Sequence, residues 1–153
     1  MSLEPVGGGA SSIYPTKRLL LSVVGTAAAL FVLWLMLGFG SGVAPEVVRG
    51  GVLGLVAATV SHILGTLAGE RFASGGASGN PSTNAAMTAY LASSALRFIC
   101  TPLFAVSLYF ALPQAPAPLL IGAAAGHALI MIADVAVLLK AVGGAGSRRT
   151  PSA

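Results

Sequence analysis

Arg97 stands alone between two long uncharged runs. No other charged residue occurs at 72–96 or 98–133, and the charge that ends the second run is Asp134. Charged residues ordinarily make up about a quarter of a soluble domain. Here eight basic and four acidic residues are spread over 153 positions, 56% of the chain is hydrophobic, and the mean hydropathy is +0.90. Such a chain reads as an integral membrane protein. Its two charges inside apolar runs are then the first place to look for function, because an intramembrane charge is expensive to keep.

Each crossing takes about 20 apolar residues, so the chain accommodates about four spans and leaves no room for a soluble catalytic domain. The pI of 9.9 does not mark a nucleic-acid binder, since the basic residues form no stripe or patch. Most of them flank apolar segments, where Lys and Arg act as topology signals. Cys100 is the single cysteine, which excludes an intrachain disulfide and a CxxC metal or redox motif. Lys17 and Arg18 resemble the basic start of a signal peptide. The uncharged run at 19–39 nevertheless exceeds the roughly 7–15 residues of a signal-peptide core, which favours a retained span.

The pattern predicts an all-α membrane protein: four transmembrane helices in an antiparallel bundle. Residues 1–15 are Gly- and Ser-rich and read as a disordered tail. The transmembrane domain covers 16–142, with spans at about 19–39, 50–69, 86–112 and 119–142, and 143–153 form a second disordered tail. Gly38, Gly40, Gly42 and Pro45 break the first span, Glu70 and Arg71 close the second, and 73–83 (ASGGASGNPST) read as a hydrophilic loop. Pro113, Pro116 and Pro118 end the third span. Helices are required because a lipid-facing backbone must satisfy its own hydrogen bonds, and the runs lack the alternation of a barrel strand. With four crossings, Lys17, Arg18, Arg71, Lys140, Arg148 and Arg149 share one side and Arg49 alone takes the other, which puts both termini in the cytoplasm. Tyr14 and Tyr90 then lie near the inner boundary, with Trp34, Tyr109 and Phe110 near the outer one.

Small residues recur at four-residue spacing: Gly50, Gly54 and Ala58, then Gly65 and Gly69, and on the last span Gly122 and Gly126. Stacked on one helix face, they let two backbones approach closely, either within the bundle or against a partner. Polar residues also coincide. At ~1.5 Å per residue, Arg97 lies roughly 12 Å inside the third span, Asp134 ~9 Å from Lys140, and His62 ~12 Å from Glu70. His127 precedes Asp134 by two turns on the same face, and Ser93, Arg97 and Thr101 share a face of the third helix. This predicts a buried cluster of Arg97, Asp134, His62 and His127. It serves as a structural pair locking helices three and four, as a proton or ion relay, or as a site for a partner's polar residue. Pro102 should kink the third helix one turn beyond Arg97. Signatures such as HExxH, GxSxG or a P-loop are absent, and two separated histidines with one cysteine make no convincing metal set, so no catalytic residue, cofactor or metal is expected.

The KRLLL entry at 17–21, the Gly50-Gly51 opening of the second span, the basic residue within ALRFICTPL at 95–103 and the small-residue span LLIGAAAGHALIMIADVAVLL at 119–139 are similar to the ATP synthase protein I family. The resemblance covers 17–140. It implies a small bacterial inner-membrane protein associated with the F-type ATP synthase, aiding assembly of the rotor ring of c subunits, with a proposed role in magnesium supply. Members of that family often carry a basic residue at the position of Arg97, whereas Asp134 has no firm counterpart there. The expectation is a non-enzymatic membrane accessory or assembly factor, with membrane lipid and the c subunits as partners and no nucleic acid. The alternative is a small proton or metal-ion transporter, built as a homo-oligomer around the Arg/Asp/His cluster. A holin-like or purely structural protein is a third reading.

Overall fold

The computed structural model of the protein describes residues 14–75, 83–113 and 115–146. Four helices account for nearly all of them: α1 (Thr16–Gly40), α2 (Pro45–Gly75), α3 (Thr83–Ala111) and α4 (Pro116–Gly146). Each is long and apolar enough to cross a membrane. The protein is an all-helical integral membrane protein.

Successive helices run antiparallel. Gly38 of α1 faces Val48 of α2, and Trp34 faces Gly51. Down the α2–α3 seam, Gly65 faces Arg97 and Gly69 faces Ser93. The closest approach is between α2 and α4, which run parallel: Gly50 meets Pro118, Gly54 meets Leu119 and Ala123, Gly122 meets Gly51, and Gly126 meets Leu55 and Ala58. Helix α2 is the hub and touches the other three, while among the described residues the backbones of α1 and α3 do not come close to each other. Half of the most apolar window of α2 is buried, against 11% for α1, so α1 lies on the outside of the assembly.

The pattern of burial suits lipid. Large apolar side chains such as Leu21, Phe39, Ile99 and Phe110 point outward. The interior holds small residues (Ala57, Ala58, Ala105, Ala123) together with Ser61, His62, Thr66, Ser93, Arg97, Thr101 and Asp134. Lipid gives apolar side chains no reason to turn inward, so close contact of small residues and hydrogen bonding hold the helices together. Hydroxyls inside the helices bond back to the preceding turn: Thr59 donates to the Leu55 carbonyl at 2.7 Å and Ser61 to the Ala57 carbonyl at 2.8 Å.

The helices run past the expected spans, most of all in α2. Glu46 and Arg49 lie inside its first turns, and Glu70 and Arg71 inside its last. A charge marks where a helix leaves the apolar layer; it does not stop the backbone. Glu46 indeed suits a helix N-terminus, where the backbone dipole favours negative charge. Pro45 and Pro116 open α2 and α4, and Pro118 sits in the first turn of α4, positions whose amides lack an intrahelical acceptor in any case. Gly42 makes the α1–α2 turn with φ +66°, a conformation that favours glycine. Of the expected loop at 73–83, residues 73–75 belong to α2 and Thr83 opens α3, while 76–82 lie outside the described residues. Of the two expected tails, 1–13 and 147–153 also lie outside them, and 143–146 are helical. Tyr14 is not a tail residue: it is 2% exposed and packs with Leu19, Ala89, Tyr90 and Leu138. Helix α3 continues through Pro102.

Candidate functional site

Three helices each bring a polar face to the same depth. On α3 that face is Ser93, Arg97 and Thr101, one turn apart. On α2 it is His62 and Thr66, and on α4 it is His127 and Asp134. Arg97, Asp134, His62 and Thr66 are all 0% exposed.

Arg97 donates from one terminal nitrogen to Asp134 Oδ2 at 2.6 Å and from the other to Thr66 Oγ1 at 2.7 Å. The Thr66 hydroxyl donates its own proton to the His62 carbonyl at 2.8 Å, which leaves its oxygen free to accept from the arginine. The guanidinium also lies 5.8 Å from the centre of the Tyr90 ring, within reach of a cation–π contact. Asp134 Oδ2 is shared with His62 Nδ1 at 3.4 Å. The far nitrogen of His62, Nε2, meets His127 Nδ1 at 3.2 Å, and Thr101 Oγ1 lies 3.0 Å from that same nitrogen. Phe98 presses against the His127 ring, centroids 4.7 Å apart. The whole sequence-predicted cluster is therefore in contact, as one chain: Thr66, Arg97, Asp134, His62, His127, Thr101.

Three buried atoms of this chain have no hydrogen-bond partner among the described residues: Arg97 Nε, Asp134 Oδ1 and His127 Nε2. His127 and Thr101 also line a groove of about 260 Å³ between α3 and α4, whose other walls include Phe98, Pro102, Leu120 and Ala123. His62 faces Asp134 with one ring nitrogen and His127 with the opposite one, so the three groups diverge, and among the described residues no set of three ligands converges.

The glycines divide into two jobs. Gly50, Gly54, Gly122 and Gly126, with Ala58, form the α2–α4 crossing; a methyl group on Gly54 would run into the Leu119 carbonyl, and one on Gly122 into that of Gly51. Gly65 and Gly69, by contrast, are slots for side chains. The stem of Arg97 lies over Gly65, and the Tyr14 hydroxyl lies where a Gly69 methyl would come within 2.6 Å of it. Both ridges are thus covered by the protein's own residues, so neither remains as a free partner surface.

Thr66, Tyr14 and Gly51 were missed by the sequence reading of the site. Thr66 had a signal: it follows His62 by four residues and so shares its face. Gly51 takes the Trp34 ring, whose nitrogen donates to the Val48 carbonyl at 3.0 Å. Nothing local to residue 14 announces its contact with Gly69 and Ser93.

This fold and cluster define a class, a four-helix integral membrane protein pinned by an intramembrane ion pair. Comparison with family models, with curated proteins and with solved structures returns no match.

Proposed function

We propose that the protein is a non-enzymatic accessory factor of a larger membrane complex, specifically one that assists assembly of the F-type ATP synthase rotor ring in a bacterial inner membrane. The observation that carries the reading is the closed state of the charges. Arg97 and Asp134 are fully buried and bind each other, and with Thr66 they tie α2, α3 and α4 together. A cluster so enclosed acts as a pin for a rigid body, which suits a scaffold. The choice of client rests on the resemblance of the sequence pattern at 17–140 to the ATP synthase protein I family. With the glycine ridges covered from within, the apolar outer face of α1, along Leu21, Val24, Phe31 and Val32, is one exposed surface that such a client could meet. Deleting the gene should lower the yield of assembled rotor ring, most visibly under low magnesium, and the tagged protein should copurify with c subunits. Unchanged ring yield under both conditions would refute the reading.

A second reading, a small proton transporter, has a specific observation behind it: the hydrogen-bonded run from Asp134 through both histidines to Thr101. Diverging ring nitrogens count against a metal ion as the cargo. Reconstituted protein should then pass protons down a pH gradient, and Asp134→Asn should abolish the flux.

A further inference from the structure

Pinning α3 to α4 takes Arg97 and Asp134 alone, yet two histidines extend from that pair. Counting hydrogens restricts what they hold. The Thr101 hydroxyl donates its one proton to the Arg97 carbonyl at 2.9 Å, so its oxygen accepts from His127 Nδ1. Asp134 Oδ2, bonded to the arginine, is an acceptor, so the hydrogen toward it sits on His62 Nδ1. One hydrogen then lies between His62 Nε2 and His127 Nδ1, with two places to be. On His127 Nδ1 it leaves both rings neutral and His127 Nε2 bare. On His62 Nε2 it makes His62 an imidazolium, and His127 then carries its hydrogen on Nε2.

We propose that this pair is a proton relay, taking up one proton at His127 Nε2 and holding the resulting charge on His62 against Asp134. The step balances. A proton adds to His127 Nε2, the hydrogen on His127 Nδ1 passes to His62 Nε2, and the Thr101 hydroxyl turns from the Arg97 carbonyl to donate to the bared His127 Nδ1. The positive charge thereby appears on the neighbouring ring, whose centre lies 4.9 Å from that of the ring that received the proton, next to the carboxylate. His127 Nε2 is suited to the entry role because this buried nitrogen ends the hydrogen-bonded run with no partner among the described residues, on a side chain that lines the α3–α4 groove.

The groups that face the pair are few. Helix α2 supplies His62 and Thr66, α3 supplies Arg97, Thr101 and Tyr90, and α4 supplies Asp134. The Tyr14 hydroxyl bonds Ser93 and feels the charges of Arg97 and Asp134 from farther off, and the two basic residues of α1, Lys17 and Arg18, are exposed. Arg97 opposes the added charge and Asp134 favours it, and the carboxylate is in contact with His62 Nδ1 at 3.4 Å.

The proposal uses the site of the second reading without requiring net transport, so absence of flux in liposomes would sink transport and leave the relay to its own test. That test is solid-state NMR of the full chain, 15N-labelled at histidine, in lipid bilayers. At neutral pH both rings should show hydrogen on Nδ1. On acidification one ring should become imidazolium while the other moves its hydrogen from Nδ1 to Nε2 in the same step. Thr101→Val should retain that paired switch, because the bond between the rings is intact. Asp134→Asn should lose the imidazolium signal over the same pH range. Wild-type spectra alone decide the matter where a variant folds poorly: two rings that titrate independently, or that keep fixed neutral tautomers throughout, overturn the relay.

Discussion

At Arg97 the chain resolves a conflict between lipid and charge by enclosing the side chain completely. An unpaired charge near the centre of a span costs about 2.5–3.5 kcal/mol on insertion scales. Asp134 and Thr66 take up its terminal nitrogens, and Gly65 leaves room for its stem. Breaking a buried pair from one side leaves the other charge unmet and typically costs about 3–5 kcal/mol. Arg97→Leu and Asp134→Asn should therefore each lower the folded fraction sharply, while the double change should recover part of the loss. A double-mutant cycle on folded yield or thermal midpoint checks this; additive losses would mean that the pair is not coupled. Tyr14 gives a second residue-scale expectation. Burial holds its phenol above the ordinary value of 10.0, with Ser93 and Arg97 pulling the other way. A folded value above the unfolded one means that docking of this residue is fully stable below pH 10.0 and weakens as pH rises through the folded value. Fluorescence or proteolysis of the N-terminal segment should show it loosening at alkaline pH, and Tyr14→Phe should remove that dependence.

Among the elements, α2 and α4 depend most on small residues, because their backbones touch. An added methyl group at Gly54 meets the Leu119 carbonyl and the Ala123 amide, and one at Gly122 meets the Gly51 backbone; neither neighbour can swing aside. Gly54→Ala and Gly122→Ala should each destabilise the bundle by at least the ~1–3 kcal/mol usual for overpacking. At Gly25 of α1 nothing lies within 4 Å of the added methyl, so Gly25→Ala should be neutral or gain up to about 1 kcal/mol of helix propensity. Thermal unfolding in detergent separates the two classes. Equal losses at positions 25 and 54 would mean that the α2–α4 crossing is not the tight contact. The four-residue glycine spacing made this crossing legible in the sequence. It could not show that Gly65 and Gly69 serve side chains, because a motif read along one helix says nothing of what another helix places over it.

Over the whole molecule, the sequence carried the helix count and the direction of each crossing, since apolar length and backbone hydrogen bonding leave a chain in lipid few alternatives. Matched depth brought His62, Arg97 and Asp134 to one level before any contact was known, and the structure joins them within 3.4 Å. Helix ends were less legible: charges at 46, 49, 70 and 71 read as boundaries although α2 passes through them. Orientation rests on charge alone. Lys17, Arg18, Arg71 and Lys140 all lie toward one end of the bundle, with Arg49 at the other. Short connections translocate less readily when they carry Lys or Arg, so the basic end should stay in the cytoplasm. Reporter fusions within 76–82 should be active there, and fusions at the α1–α2 and α3–α4 connections should be active outside. A double change of Arg71 and Lys140 to glutamine should weaken the bias and yield a mixed population, whereas Arg49→Gln should strengthen it. If the fusions within 76–82 report from outside, the bundle sits the other way up, and the His127 end of the polar chain, not the Asp134 end, faces the cytoplasm.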